Sequence, residues 1–380
     1  MTDLQSQIRE WAMEAVRKYD SISRKKYDCA FYHQSDLTKI SEHPQVVIMG
    51  INPGSVGSYT AQIDNDNWGI KADGEMTPQK FIQGNPFFKK KDWSFIRNMR
   101  KIFRYGDVEE LLYDKKSYVY TNLVPFNTAK AGDLPKWVMN ECAPLSLSLI
   151  GILRPKLLVC LGVDTFDKIM ETVSISGSPK PSIETIKGKE IVLSRIGDVC
   201  VLGIYHPNAD RGRYYTDRKM FINGVIIRSL LDTPQIVSED LRKCVDDCTQ
   251  KEIPSFPSDT ETALIVERCF NDAMIKLGYS PIGREGVFSL SDDYLVSVRH
   301  EGKGQFCISR KDCRQNMETD SIMNILYELD FESHKQPNGD IRWLGCKRFK
   351  AMGMTPEKIA KKIVDEVKLI AEYEFEGIDA

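Results

Sequence analysis

Three short loops gather the polar residues best suited to holding a ligand. Gly50-Ile51-Asn52-Pro53-Gly54, Asn122-Leu123-Val124-Pro125-Phe126 and His206-Pro207-Asn208-Ala209-Asp210-Arg211-Gly212-Arg213 each follow an apolar run. Each sets an amide or an imidazole at the end of that run and adds a proline that stiffens the turn. An amide donates and accepts hydrogen bonds together, and a neutral imidazole does one on each nitrogen. The chemistry open to Asn52, Asn122 and His206 is therefore hydrogen bonding to a bound, polar molecule. Asn-Pro-Gly alone is ordinary turn material. Recurrence at three run ends, in one order, is what singles these residues out.

The elements that must position them read as an α/β domain. Gln45–Gly50, Ser117–Asn122, Lys156–Leu161 and Val199–Tyr205 are short continuous apolar runs, the pattern of strands covered on both faces of a parallel sheet. Helical spacing lies between and around them: 3–19, a stripe through Trp93, Ile96, Arg100 and Phe103, then 141–153, 163–172 and about 216–231. Alternating strands and helices predict a three-layer α/β/α fold with a short, mainly parallel central sheet over residues 1–231. In such a sheet ligands bind beyond the carboxyl ends of the strands, where the three loops fall. Residues 232–259 carry three prolines and read as an acidic linker with room for one short helix. Residues 260–380 read as an α+β domain: a helix (260–277), three alternating runs (286–290, 293–300, 304–309), a helix (319–330), a hairpin at Asn338-Gly339 and a closing helix (about 355–374).

Composition narrows the class. The chain has 380 residues, 42% apolar and 28% charged, as a globular protein of two domains does. No apolar run approaches the roughly 18 residues of a membrane span, and Met1-Thr2-Asp3-Leu4 lacks the start of a signal peptide. The ten cysteines have no second close pair beside Cys244 and Cys248, which argues for reduced thiols and a cytoplasmic setting rather than a metal site. The net charge of −2 divides unevenly: residues 1–231 hold 32 Lys+Arg against 26 Asp+Glu, 232–259 hold 3 against 7, and 260–380 hold 17 against 21. A basic first part is compatible with a polyanionic partner.

The order G-x-N-P-G, N-L-x-P and H-P-N, each after a strand, resembles the uracil-DNA glycosylase superfamily over roughly residues 40–231. The nearest likeness in motif is to its single-strand-selective and mismatch-specific branches. The resemblance implies a monofunctional DNA glycosylase that flips a pyrimidine out of DNA and hydrolyses its N-glycosidic bond, with no metal or other cofactor. It assigns Asn52 to positioning the water and His206 to the leaving base at O2. Asn122 would read the Watson–Crick edge, and Gly50, Ile51, Pro53 and Gly54 would line the base pocket. Uracil-selective relatives carry a bulky aromatic at the place of Gly54, so the pocket is expected to admit uracil and 5-substituted or otherwise modified pyrimidines. Hypermodified bases of foreign phage DNA are a narrower expectation. The place of the family's wedge residue holds Asp210, which leaves Arg211 to fill the gap. Trp68, then Phe87, are the candidates to stack on the extruded base.

DNA contacts are expected from Lys89, Lys90 and Lys91, from Pro207, Asn208, Arg211 and Arg213, and also from Arg218 and Lys219. Arg97, Arg100, Lys101 and Arg104 read better as the solvated face of a helix. One carboxylate among Asp64, Asp66, Asp73 and Glu75 is a candidate base. In the second domain, Arg342-Trp343 and Lys347-Arg348-Phe349-Lys350 mix charge and aromatics as nucleic-acid readers do, while its negative charge favours a protein partner. The competing expectation for the whole chain is a glycosylase-like module that senses DNA or nucleotides without cleaving.

Overall fold

The computed structural model describes residues 3–25, 27–54, 58–60, 75–84, 94–128, 131–175, 184–185, 192–207, 216–235, 238–283, 286–291, 293–299, 304–310, 331–335, 341–348 and 354–376, with Ile322, Ile325, Leu326 and Leu329. The chain divides into two compact units, Met1–Ile253 and Pro254–Ala380.

The first unit is α/β. Its strands are β1 (Val46–Gly50), β2 (Tyr118–Asn122), β3 (Leu157–Leu161), β4 (Glu184–Thr185), β5 (Val192–Ile196) and β6 (Val199–Ile204). They form one sheet in the order β2-β1-β3-β6-β5-β4. β2, β1, β3 and β6 are parallel, and β5 and β4 add an antiparallel edge that the sequence pattern did not predict. Every residue of β1, β2, β3 and β6 is buried, which is why these segments read as unbroken apolar runs.

The helices are α1 (Asp3–Lys25), α2 (Pro78–Gln83), α3 (Ser94–Tyr105), α4 (Lys136–Leu153), α5 (Val163–Ile175), α6 (Asp217–Asp232) and α7 (Ser238–Gln250). Side chains alternate across a strand. Val47, Met49, Val119, Leu158, Cys160 and Val201 join a core with Ile8, Trp11, Tyr19, Leu149 and Phe166, so one face is covered by α1, α4 and α5. The other face carries Tyr118 and Tyr120, and Phe95 of α3 packs on Tyr120. α3 crosses α6 with backbones touching. A Cβ on Gly224 would strike the Ile102 carbonyl and the Gly106 nitrogen, so glycine alone permits this approach. The strand order reverses beside β1, because β2 lies on one side of it and β3 on the other. In open α/β sheets the carboxyl ends at such a reversal are the usual ligand position.

The acidic stretch after residue 231 is shorter as a linker than the sequence pattern suggests. Leu241, Val245 and Cys248 recur at helical spacing and are buried, so α7 folds into the first unit.

The second unit is α+β. β7 (Val287–Ser289), β8 (Tyr294–Arg299), β9 (Gln305–Arg310), β10 (Glu332–Lys335) and β11 (Ile341–Arg348) form an antiparallel sheet in the order β10-β11-β9-β8-β7. Helices α8 (Asp259–Lys276) and α9 (Pro356–Glu376) share one core with its Phe288, Val296, Val298, Phe306, Ile308 and Leu344. A capping box of Ser258 and Glu261 starts α8. Lys347 pairs with Glu366 at 2.8 Å, both largely buried, and its ammonium lies over the Phe331 ring. It is an internal cation and not the nucleic-acid contact that its sequence neighbourhood suggested. Among the described residues no helix is long and apolar enough to cross a membrane.

Candidate functional site

β1 and β2 end side by side, with Gly50 in register with Asn122. The loops that follow are laced together by Leu123 N–H to Gly50 O (2.8 Å), Val124 N–H to Ile51 O (2.9 Å) and Thr128 N–H to Pro53 O (3.2 Å). These backbone bonds give Gly50, Ile51 and Pro53 a fixed place at the sheet edge. Gly50 matters for a second reason. A Cβ there would stand 2.6 Å from Asn122 Oδ1 and 3.6 Å from the Tyr120 hydroxyl, so the missing side chain leaves space for the amide.

Asn122 is buried, and among the described residues neither its oxygen nor its nitrogen has a hydrogen-bond partner. Buried polar atoms are nearly always paired, so an amide left open on both atoms marks a place where a ligand or water belongs. Asn52 is held differently. Its Nδ2 donates to Thr128 Oγ1 at 2.5 Å and to Pro53 O at 3.0 Å. With the nitrogen occupied, Oδ1 remains as an acceptor with no protein donor among the described residues.

His206 follows β6, which β3 separates from β1. Its ring stacks on Phe95, with centroids 5.6 Å apart and planes 25° from parallel. Phe95 in turn packs on Tyr120 at 5.6 Å, so two rings connect His206 to the neighbourhood of Asn122 and Gly50. One turn further along α3, Asn98 donates to Pro207 O at 2.8 Å. The first turns of α3 thus seat the imidazole and the loop after it. Burial pushes the His206 imidazole down to about 4, which keeps it neutral at ordinary pH. Burial, and then the neighbouring Tyr32, pushes the Tyr120 phenol up, so it too stays un-ionised.

Gly54 is exposed, and a Cβ on it would meet nothing within 4 Å. Among the described residues nothing stands where an aromatic at this place would build a wall. Trp68, Phe87, Lys89, Lys90, Lys91, Asn208, Asp210, Arg211 and Arg213 lie outside the described residues, as do Asp64, Asp66 and Asp73. Glu75 is turned elsewhere, in an ion pair with Arg24 at 2.5 Å.

Several cations have structural partners. Lys101 pairs with Asp217 at 2.8 Å, Arg104 with the buried Glu109, and the Arg100 guanidinium lies over the Tyr113 ring. Each of these partners is a protein group outside the helix. Arg218, by contrast, is engaged within the first unit. Its Nη1 donates to the carbonyls of Cys248 (2.6 Å) and Lys251, satisfying acceptors left open at the end of α7. Lys219 Nζ lies 4.8 Å from the Tyr205 ring centroid.

Phe95, Tyr120 and Thr128 are contributors that the sequence pattern does not single out. Phe95 sits on a helical stripe that resembles any apolar core, and Tyr120 lies inside an apolar run. Among the described residues no group of three or more His, Cys, Asp or Glu is placed to hold a metal. A cavity of about 1280 Å³ opens at the opposite, amino-terminal edge of the sheet, beside Arg154, Lys156, Gly197 and Asp198. No protein-family model matches the chain, and no curated protein matches it.

Proposed function

We propose that the first unit is a monofunctional DNA glycosylase that everts and excises uracil or a 5-substituted pyrimidine. The observation that carries this reading is the Asn122 amide, buried and open on both atoms beside Gly50, with a neutral imidazole two rings away. An amide with a free donor and acceptor fits the N3–H and O4 of a uracil-like edge. A preorganised N–H of His206 fits O2, where charge gathers as the base leaves, and such a donor is worth about 2–4 kcal/mol. The C1′–N1 bond breaks with its electron pair on the base. A water held by Asn52 Oδ1 adds to C1′ and releases its proton to solvent. An amide cannot deprotonate that water, so its role is orientation. No lysine stands at a motif position from which to attack C1′, so the product is an intact abasic strand.

The test uses single- and double-stranded oligonucleotides, each with one altered base, treated with alkali to reveal abasic sites. Asn52→Ala and His206→Ala should each lower the excision rate by at least about a hundredfold. If no altered base is processed faster than by the double variant, the proposal fails. Tight binding without an abasic product would instead identify a sensor.

A further inference from the structure

Among the described residues, Cys160 and Cys200 lie on β3 and β6, and Cys307 and Cys346 lie on β9 and β11. Cys160 stands opposite Gly203, and Cys200 opposite Leu157, so neither meets a second cysteine across this strand pair. Cys307 and Cys346 do. They are directly opposite each other in the antiparallel pair of β9 and β11, and the Cys346 thiol donates to Cys307 Sγ at 2.6 Å. The two are 39 residues apart along the chain, which is why spacing in the sequence does not show them as a pair.

Residues directly opposite in an antiparallel pair have Cα atoms about 4.5 or about 5.5 Å apart. A disulfide spans about 4.4–6.8 Å between Cα atoms, so either spacing lets the bond close with both strands in place. Val296, Val298, Phe306 and Ile308 face the core shared with α8 and α9. Alternation turns Ser297 and Cys307 to the other face of the sheet. Lys347 reaches Glu366 of α9, so Cys346 before it also faces away from that core. The two thiols differ in access: Cys307 is fully buried and Cys346 half-buried. Ser297 stands in register with Cys307, is itself buried, and its hydroxyl has no hydrogen-bond partner among the described residues. It is a donor suited to a thiolate at Cys307. The cysteines in the core of the first unit differ from this pair, since burial pushes the Cys142 thiol up to about 12 and the Cys200 thiol up to about 11.

We propose that Cys307 and Cys346 are a redox-modification site, which closes reversibly into a cross-strand disulfide by exchange with a low-molecular-weight disulfide. The more accessible Cys346 reacts first. Its thiolate attacks one sulfur of the small disulfide, whose S–S bond breaks, and one small thiolate leaves with the electron pair. The Cys307 thiolate, steadied by the Ser297 hydroxyl, then attacks Cys346 Sγ and expels the second small thiolate. The two protons given up by the cysteines end on the two departing thiolates. Two protein thiols are thus oxidised to one disulfide, and one small disulfide is reduced to two thiols. The bond ties β9 to β11 and makes a closed ring of the chain between them. This inference concerns the second unit and does not depend on the base-excision reading of the first.

The experiment equilibrates the full-length protein with glutathione disulfide, then with dithiothreitol, and after alkylation weighs its peptides by mass spectrometry. Oxidised wild type should lose its alkylatable thiols at 307 and 346 and yield one cross-linked pair of peptides. Its melting temperature should rise by on the order of 10 °C, as expected for a ring of this length, and dithiothreitol should reverse both changes. Cys307→Ser should hold one glutathione on Cys346, and Cys346→Ser should leave the buried Cys307 unmodified. Ser297→Ala should slow the closing step about two- to tenfold, and an unslowed rate would overturn the part given to the hydroxyl. Wild type that keeps both thiols under glutathione disulfide overturns the proposal. So does wild type that accumulates a glutathione adduct on Cys346 without the cross-link, or that forms the cross-link only after unfolding.

Discussion

Acid should destabilise the first unit through two histidines. Burial holds His33 and His206 each at about 4, against an imidazole value near 6.5 in an unfolded chain. Between these values the unfolded state binds one more proton per histidine, so unfolding is favoured as pH falls. The stabilising effect of keeping each ring neutral is complete above about 6.5 and is lost progressively down to about 4. A proton-binding difference of one is worth about 1.4 kcal/mol for every pH unit crossed, so each histidine accounts for about 3 kcal/mol over that window. A domain commonly has only about 5–15 kcal/mol in total, so the pair decides whether the fold survives mild acid. Urea unfolding of wild type, His33→Gln and His206→Gln between pH 7 and pH 4.5 measures the effect. The glutamine variants start less stable at pH 7, but their stability falls less steeply with acid by about one proton each, and carboxylate contributions cancel in the comparison. Curves that stay parallel would refute the argument. A second consequence concerns rate: while the fold holds, the acid limb of excision should centre near pH 4 and not near 6.5.

Gly54→Phe should fold with a melting temperature close to wild type, because open space surrounds the new side chain, and should narrow excision toward uracil over 5-substituted bases in a competition assay. Gly50→Ala should displace the Asn122 amide and lower excision at least about tenfold, with circular dichroism unchanged. Gly224→Ala drives a methyl group into the α3 backbone and should cost about 3 kcal/mol in a urea titration. Cells that carry the gene should plate phages with hypermodified pyrimidines less efficiently than cells without it, and equal plating would count against modified foreign DNA as the target.

The parallel strands were legible almost to the residue. Continuous apolar runs such as Val46–Gly50 have only one home in an α/β domain, covered on both faces. The antiparallel edge was not. β5 is only partly buried along its length, so it lacks the unbroken apolar signature. The linker reading left room for a short helix, but the packing of α7 into the first unit was not legible, because its apolar face is three residues wide, Leu241, Val245 and Cys248, in an acidic stretch. At the site, Gly50 and Asn122 announced themselves by type and place. Phe95 and Tyr120 did not, since each lies in an apolar stretch of the kind any core shows, and only the fold brings the Phe95 ring between Tyr120 and His206. Arg218 reads in the sequence as an exposed cation, and only the fold shows its Nη1 donating to carbonyls at the end of α7.

Asn52 and Asn122 lie at the ends of neighbouring strands, and His206 is connected to them through Phe95 and Tyr120, in a sheet whose neighbours are mostly distant along the chain. No single hairpin or helix pair contains a working half of the constellation. A refolding chain should therefore regain ligand affinity late and all at once, when the final strand slots in, and truncation before β6 should leave nothing partially competent. Long-range pairing of this kind forms slowly, which makes recovered binding a sensitive clock for the last step of assembly.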